Sequence, residues 1–274
     1  MSITLQGVPV EEPHATDQRF VALIWGPAGC GKTVLASTAP GRKLLLCFDP
    51  DGELSLAERA DVSVMRFYPL NPLTVVGEFR KSDPYNLSRT LTSDLSDVET
   101  IIFDSMTMFA YMALHEAVQR VRTQRNQIVL GTATTMLQLT ARLKRNIIFT
   151  THEGSPDLDD SGKVESITMI LSTNLANQIG LRLNEVWHLR DDDGRTRTIS
   201  VRPHSKLKPM KTRLFNADRP QFPWHFDANT LIGEGIADWW AAWKANGGQK
   251  LALPGVAKTT VTKGGVKKSP TTRI

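Results

Sequence analysis

The eight residues Gly26-Pro27-Ala28-Gly29-Cys30-Gly31-Lys32-Thr33 constrain this chain more than any other stretch. They read G-x-x-x-x-G-K-T, follow the apolar run Phe20-Val21-Ala22-Leu23-Ile24-Trp25 and precede the helix-prone Val34-Leu35-Ala36-Ser37. Strand, glycine loop and helix in that order make an anion cradle. The glycines let the backbone turn tightly enough for successive N–H groups to face a phosphate chain, at the positive end of the helix that follows. Lys32 is then placed to reach the β- and γ-phosphates, and the Thr33 hydroxyl to bind Mg²⁺.

Further along, apolar runs end in polar residues. Lys43-Leu44-Leu45-Leu46-Cys47-Phe48 runs into Asp49-Pro50-Asp51-Gly52-Glu53, Thr100-Ile101-Ile102-Phe103 into Asp104-Ser105, and Asn146-Ile147-Ile148-Phe149-Thr150-Thr151 into His152. Such runs fit a parallel sheet covered on both faces, and ligands of open α/β sheets bind at the carboxyl ends of the strands. The run ending at Asp104 has the form of a Walker B strand, whose aspartate holds the Mg²⁺-bound water shell beside the phosphate loop. His152-Glu153 is no zinc motif, since no second histidine lies four residues on; a γ-phosphate sensor and a structural histidine are the two readings.

The chain has 274 residues, 41% of them apolar, which is enough for one large α/β domain or two small ones. No apolar run approaches the ~18 residues of a membrane span, and Glu11, Glu12 and Asp17 stand where a signal peptide needs apolar residues. A cytoplasmic protein is expected, with no membrane partner. Two cysteines, Cys30 and Cys47, make no disulfide framework. Cys30 is either a thiol activated near a helix N-terminus or a small residue that fits the loop. The net charge is +5, but residues 244–274 carry seven cations and no acid, which leaves −2 for the rest. This tail is rich in Gly, Thr, Pro and Lys and is expected to be disordered, either touching a phosphate backbone or simply solvated.

Residues 1–18 read as an extended arm. Helices are expected around 73–80, 106–121 and 132–144, and Arg120, Arg122 and Arg125 crowd the end of the second. Residues 154–165 read as a polar turn, because the calcium-like start at Asp157 lacks the glutamate that a twelfth position needs. The stretch 166–183 is almost uncharged and carries Ser172, Thr173, Asn174, Asn177 and Gln178, suited to a partner or a nucleic-acid strand. Residues 185–190 and 195–201 flank an acidic turn as a hairpin. Lys206, Lys208, Lys211 and Arg213 follow, and the spacing of the last two puts them on one face of an extended segment. A helix over 228–245 carries the stripe Leu231, Ile236, Trp239, Trp240 and Trp243, read as core.

In order, these features resemble the RecA-like core ATPases over about residues 19–215, and more narrowly the short phage-encoded AAA-family nucleotide-binding proteins of the Sak type, which anneal single strands. The resemblance implies an α/β, RecA-like P-loop NTPase: a mostly parallel central sheet with helices on both faces and a C-terminal β-hairpin and helix. The domain would span 19–245, between the arm of residues 1–18 and the tail of 246–274. It also implies ATP and Mg²⁺ as cofactors, with Mg²⁺ on Thr33 and Asp104. The water-activating carboxylate that follows the strand after the phosphate-loop helix falls on Asp51, with Glu53 as its neighbour. His152 takes the sensor place, residues 153–178 the DNA-contacting loop, and Lys211 and Arg213 the cations that reach the γ-phosphate of a neighbouring protomer.

The reading that follows is an ATP- and Mg²⁺-dependent protein that binds single-stranded DNA, forms a homo-oligomeric ring or filament and promotes annealing or strand exchange in phage recombination, in a host cytoplasm. Its hydrolysis would be DNA-stimulated, and a single-strand-binding protein is a further candidate partner. An ATP-driven motor or helicase loader acting on a protein is the alternative, and a small-molecule kinase a third.

Overall fold

The computed structural model describes residues 3–5, 8–10, 18–57, 59–66, 95–120, 145–171, 179, 183–192, 196–204, 206–216, 218–227 and 233–254. The helices expected at 73–80 and 132–144, Arg122, Arg125 and the polar residues 172–178 lie outside them. In chain order the strands are β1 (Ile3–Leu5), β2 (Val8–Val10), β3 (Val21–Gly26), β4 (Arg42–Cys47), β5 (Val62–Arg66), β6 (Val98–Asp104), β7 (Asn146–His152), β8 (Asp157–Leu158), β9 (Val164–Ser166), β10 (Glu185–Asp191), β11 (Arg197–Ser200), β12 (Phe215–Asn216), β13 (Gln221–Trp224) and β14 (Leu251–Ala252). The helices are α1 (Lys32–Ser37), α2 (Met106–Arg120) and α3 (Ile236–Ala245), with a 3₁₀ turn at Gly52–Leu56.

Eight strands form one sheet in the order β13-β11-β10-β3-β7-β6-β4-β5. From β10 to β5 all neighbours are parallel, while β10–β11 and β11–β13 are antiparallel. The inner strands are apolar through their middles because both faces are covered, and their residues divide by parity. Ala22, Ile24, Leu45, Ile102 and Ile148 join the core with Val34 and Leu35 of α1 and Ile236, Trp239, Trp240 and Trp243 of α3. Leu23, Trp25, Leu46, Ile101, Phe103, Ile147 and Phe149 join the opposite core, where Met106 and Phe109 of α2 pack. The sheet is thus mostly parallel, with α1 and α3 packed on one face and α2 on the other.

Helix α3 is shorter than the 228–245 expected, and its start is fixed by the end of the phosphate-loop helix. Ile236 N donates to Thr38 Oγ1 at 2.9 Å and Ala237 N to Thr38 O at 3.0 Å, while Asp238 Oδ2 accepts from Gly235 N at 2.9 Å. Trp239 meets Trp187, Phe215 and Phe222 edge-on at 5.6–6.0 Å between ring centres. Three further elements differ from expectation. β1 and β2 pair antiparallel within the supposed extended arm. The supposed turn at 154–165 holds part of an antiparallel hairpin, β8 with β9. Beyond α3, β14 pairs with β12 and Leu253 is buried, so ordered structure continues into the stretch assigned to the tail.

Candidate nucleotide-hydrolysis site

The parallel strands β3, β4, β6 and β7 bring their carboxyl ends to one edge, where four turns meet: the phosphate loop, residues 48–53, Ser105 with the start of α2, and His152-Glu153. Register fixes who meets whom, since Gly26 stands opposite His152 and Cys47 opposite Asp104. Both Phe48 N and Asp49 N donate to Asp104 O, at 2.6 and 3.3 Å, which folds the chain after β4 over the end of β6.

The loop of residues 26–33 uses its glycines for two purposes. Gly29 and Gly31 have φ of 75° and 95°, which side chains rarely adopt. Gly26, with φ of 156°, answers to packing as well: a Cβ there would stand 2.0 Å from the carbonyl oxygen of Leu189 on β10. Lys32 is buried, its Nζ donating to Pro27 O at 2.6 Å and Gly26 O at 3.1 Å, inside the curve of the loop. Burial raises the Cys30 thiol, which makes it a filler of the loop rather than an activated nucleophile.

Thr33 Oγ1 donates to Asp104 Oδ2 at 2.8 Å across a sequence gap of 71, and Thr150 Oγ1 donates to Asp104 Oδ1. The Asp104 carboxyl is pushed up by burial, is drawn back by the hydroxyls of Thr150 and Thr33, and is raised further by the charge of Asp49. Asp49 has both oxygens engaged: Oδ1 accepts from Ser105 Oγ at 2.8 Å, and Oδ2 faces His152 Nε2 at 3.0 Å. His152 is positioned in turn by Thr107, whose Oγ1 accepts from His152 N at 2.9 Å and lies 2.7 Å from Thr151 Oγ1. Next to it, Glu153 Oε2 lies 2.6 Å from Nε2 of the buried His188, and Glu153 N donates to Gly26 O at 2.9 Å. Desolvation holds His188 below its ordinary range against the pull of that carboxylate.

Of the expected site residues, Lys32, Thr33, Asp104 and His152 thus come together around the loop. Asp51 and Glu53 are placed differently. Asp51 is exposed, in a left-handed conformation (φ 57°) at the start of the 3₁₀ turn. Glu53 is turned inward to accept from Arg66 Nε at 2.6 Å and Cys47 Sγ at 3.3 Å. The carboxylate beside Asp104 and His152 is Asp49, two residues earlier. Ser105, Thr107 and Thr150 also escaped the sequence reading; the pattern of a hydroxyl at or just past a strand end was the available signal.

Lys211 and Arg213 lie at the other end of β10. Lys211 pairs through its backbone with Val186, and its Nζ donates to Leu183 O at 3.0 Å. Arg213 Nη1 donates to Asn184 Oδ1 at 3.2 Å, and Asn184 N in turn to Val21 O, where β3 begins. Within one chain they are therefore separated from the phosphate loop by the length of a strand. Between them sits the buried Glu185, whose carboxyl accepts from Arg213 N, Leu214 N and Trp187 Nε1 at 2.8–3.0 Å; burial pushes it up to about 7 against those hydrogen bonds.

The donor set suits the implied cofactors. Hydroxyl and carboxylate oxygens of Thr33 and Asp104 are hard ligands of the kind Mg²⁺ takes from a protein alongside substrate phosphates and water. The backbone of residues 28–33 and the Lys32 ammonium supply positive potential for phosphate oxygens. Among the described residues, no helix is long and apolar enough to cross a membrane. A search of curated proteins found no match. A family model described as an AAA domain matches residues 18–214, most of the chain and all of the site just described, and the protein belongs to this family of AAA-type P-loop ATPases.

Proposed function

We propose that the protein hydrolyses ATP with Mg²⁺ and uses the cycle to assemble on single-stranded DNA and promote annealing or strand exchange. The observation that carries the ATPase reading is the contact of Thr33 with Asp104 beside Lys32, which joins loop and Walker B strand into one oxygen-lined site. Bound there, Mg²⁺ would neutralise developing charge on the phosphates. Asp49 is the general base, taking the proton of the attacking water; Ser105 and His152 fix the direction of its carboxylate. Lys211 and Arg213, remote from their own loop, would serve the site of a neighbouring protomer, so that hydrolysis follows assembly.

DNA coupling is supported by how the β8–β9 segment is tied to the site. Ile170 N donates to His152 O at 2.8 Å and Gly154 N to Thr168 O at 2.7 Å, so a shift of His152 is passed to this hairpin through the main chain. Lys206 and Lys208 are exposed and flank Leu207, which bridges to Ile167 just past β9. With the basic residues of 255–274, they offer cations to a phosphate backbone. The test is ATP hydrolysis with and without single-stranded DNA at two salt concentrations, beside DNA binding with a non-hydrolysable analogue. Salt-sensitive stimulation is expected. Hydrolysis and binding both indifferent to DNA would refute the DNA reading and direct the search to a protein partner.

A further inference from the structure

Arg197, the first residue of β11, is not used by the site described so far, yet it touches the phosphate loop. Its Nε lies 2.9 Å, and its Cζ 3.2 Å, from where a Cβ on Gly31 would stand. The sheet explains how it gets there. Arg197 pairs with Asp191, two residues beyond Leu189, whose carbonyl is packed against Gly26. Ile199 and Val201, with the same parity, belong to the core beneath α1, so Arg197 stands on the face of the sheet where α1 begins.

The guanidinium is held in place but incompletely satisfied. It lies 5.6 Å over the ring of Trp224, which is stacked on Phe226 at an interplanar angle of 9°. One Nη donates to Phe226 O at a long 3.5 Å. Among the described residues the buried Nε has no hydrogen-bond partner, and no carboxylate forms an ion pair with this arginine. Buried donors are paired in the great majority of native structures, so one left open beside an anion cradle points to an acceptor supplied by a ligand.

We propose that Arg197 is a phosphate-binding residue of this site, its Nε–H and guanidinium edge donating to the phosphate chain held at Gly31. The inference rests on the nucleotide reading above and adds a cation from a distant strand that the loop motif does not contain. Arginine suits the task because its planar fork matches phosphate oxygens, and the Trp224 ring sets the plane of that fork before the ligand arrives. Gly31 acquires a second reason to be glycine, since a side chain there would fill the path of the guanidinium.

The experiment is calorimetric binding of Mg²⁺-ADP and of Mg²⁺-pyrophosphate to the full chain, for wild type, Arg197→Gln, Arg197→Lys and Lys32→Ala, with thermal unfolding of each ligand-free protein. Arg197→Gln is expected to weaken both ligands about tenfold, as loss of a charge-assisted hydrogen bond would. Arg197→Lys should recover part of that. The dependence of affinity on salt should become shallower in Arg197→Gln, which a residue that merely props the loop would not cause. Pyrophosphate binding unchanged in Arg197→Gln, while Lys32→Ala abolishes it, overturns this inference and leaves the nucleotide reading standing. Failure of the wild type to bind either ligand overturns both.

Discussion

Replacing Asp49 by Asn separates the carboxylate that the fold brings to the site from the two that follow it in the same turn. The amide keeps an oxygen for Ser105 and the size of the side chain, and loses the charged partner of His152. One charge-assisted hydrogen bond at a largely covered position is worth about 1.5–3 kcal/mol, and partial exposure of the pair brings the expected loss of stability to about 1 kcal/mol. Catalysis should suffer far more. A positioned general base contributes about 10²–10⁴ in rate, so kcat for Mg²⁺-ATP should fall by that factor, equivalent to about 3–5 kcal/mol in the barrier. Nucleotide affinity should stay within about threefold, because loop and Lys32 are untouched. The assay is phosphate release under saturating ATP, paired with ADP binding. Asp51→Asn, at an exposed position, is the control and should stay within about twofold. An Asp49→Asn enzyme of normal rate beside a dead Asp51→Asn or Glu53→Gln enzyme would refute the assignment.

Glu185 predicts a pH dependence of stability. Its carboxyl is raised from 4.5 to about 7 in the folded chain, so between those values the native state holds a proton that the unfolded state releases. The stabilisation is complete below about 4.5 and is lost as pH rises through about 7, amounting to at most about 3 kcal/mol; denaturant unfolding should show this decline, and Glu185→Gln should remove it. Trp239→Ala empties the meeting point of Trp187, Phe215 and Phe222 and should cost about 3–5 kcal/mol of unfolding free energy without changing ADP affinity in the folded fraction. Arg213→Ala should leave ADP binding intact and remove the rise of specific hydrolysis activity with protein concentration. Full, concentration-dependent hydrolysis in that variant would rule out the action of Arg213 on a neighbouring site.

The parts of this molecule that were legible in the sequence are those set by local pattern. Apolar runs such as 21–25, 44–48 and 147–149 must be buried on both faces, and the glycine loop between strand and helix has few other uses. The aromatic stripe of α3 lies in the core, since periodicity alone puts Trp239, Trp240 and Trp243 toward the sheet. What stayed hidden depends on distance. Three carboxylates stand in the five residues 49–53, and only the backbone hydrogen bonds from Phe48 and Asp49 to Asp104 decide which one meets His152. Arg197 passed as an ordinary strand residue because its neighbour Gly31 is 166 positions away, and the pairing of β10 with β11 is what closes that gap. The start of α3 depends on distance in the same way: Thr38, 198 positions before Ile236, receives its first N–H groups.

The contact between Gly26 and Leu189 alters what a substitution in the motif would mean. With a carbonyl oxygen 2.0 Å from where its Cβ would be, Gly26 is a seam between two strands before it is part of a cradle. Alanine there would push β10 away from β3, and β10 carries the antiparallel strands on that side of the sheet. An activity assay would record the result as lost nucleotide binding, although the fault would lie in a sheet unable to close. The first glycine of the signature thus belongs to the architecture, and changes within residues 29–33 are the ones that would report on the ligand.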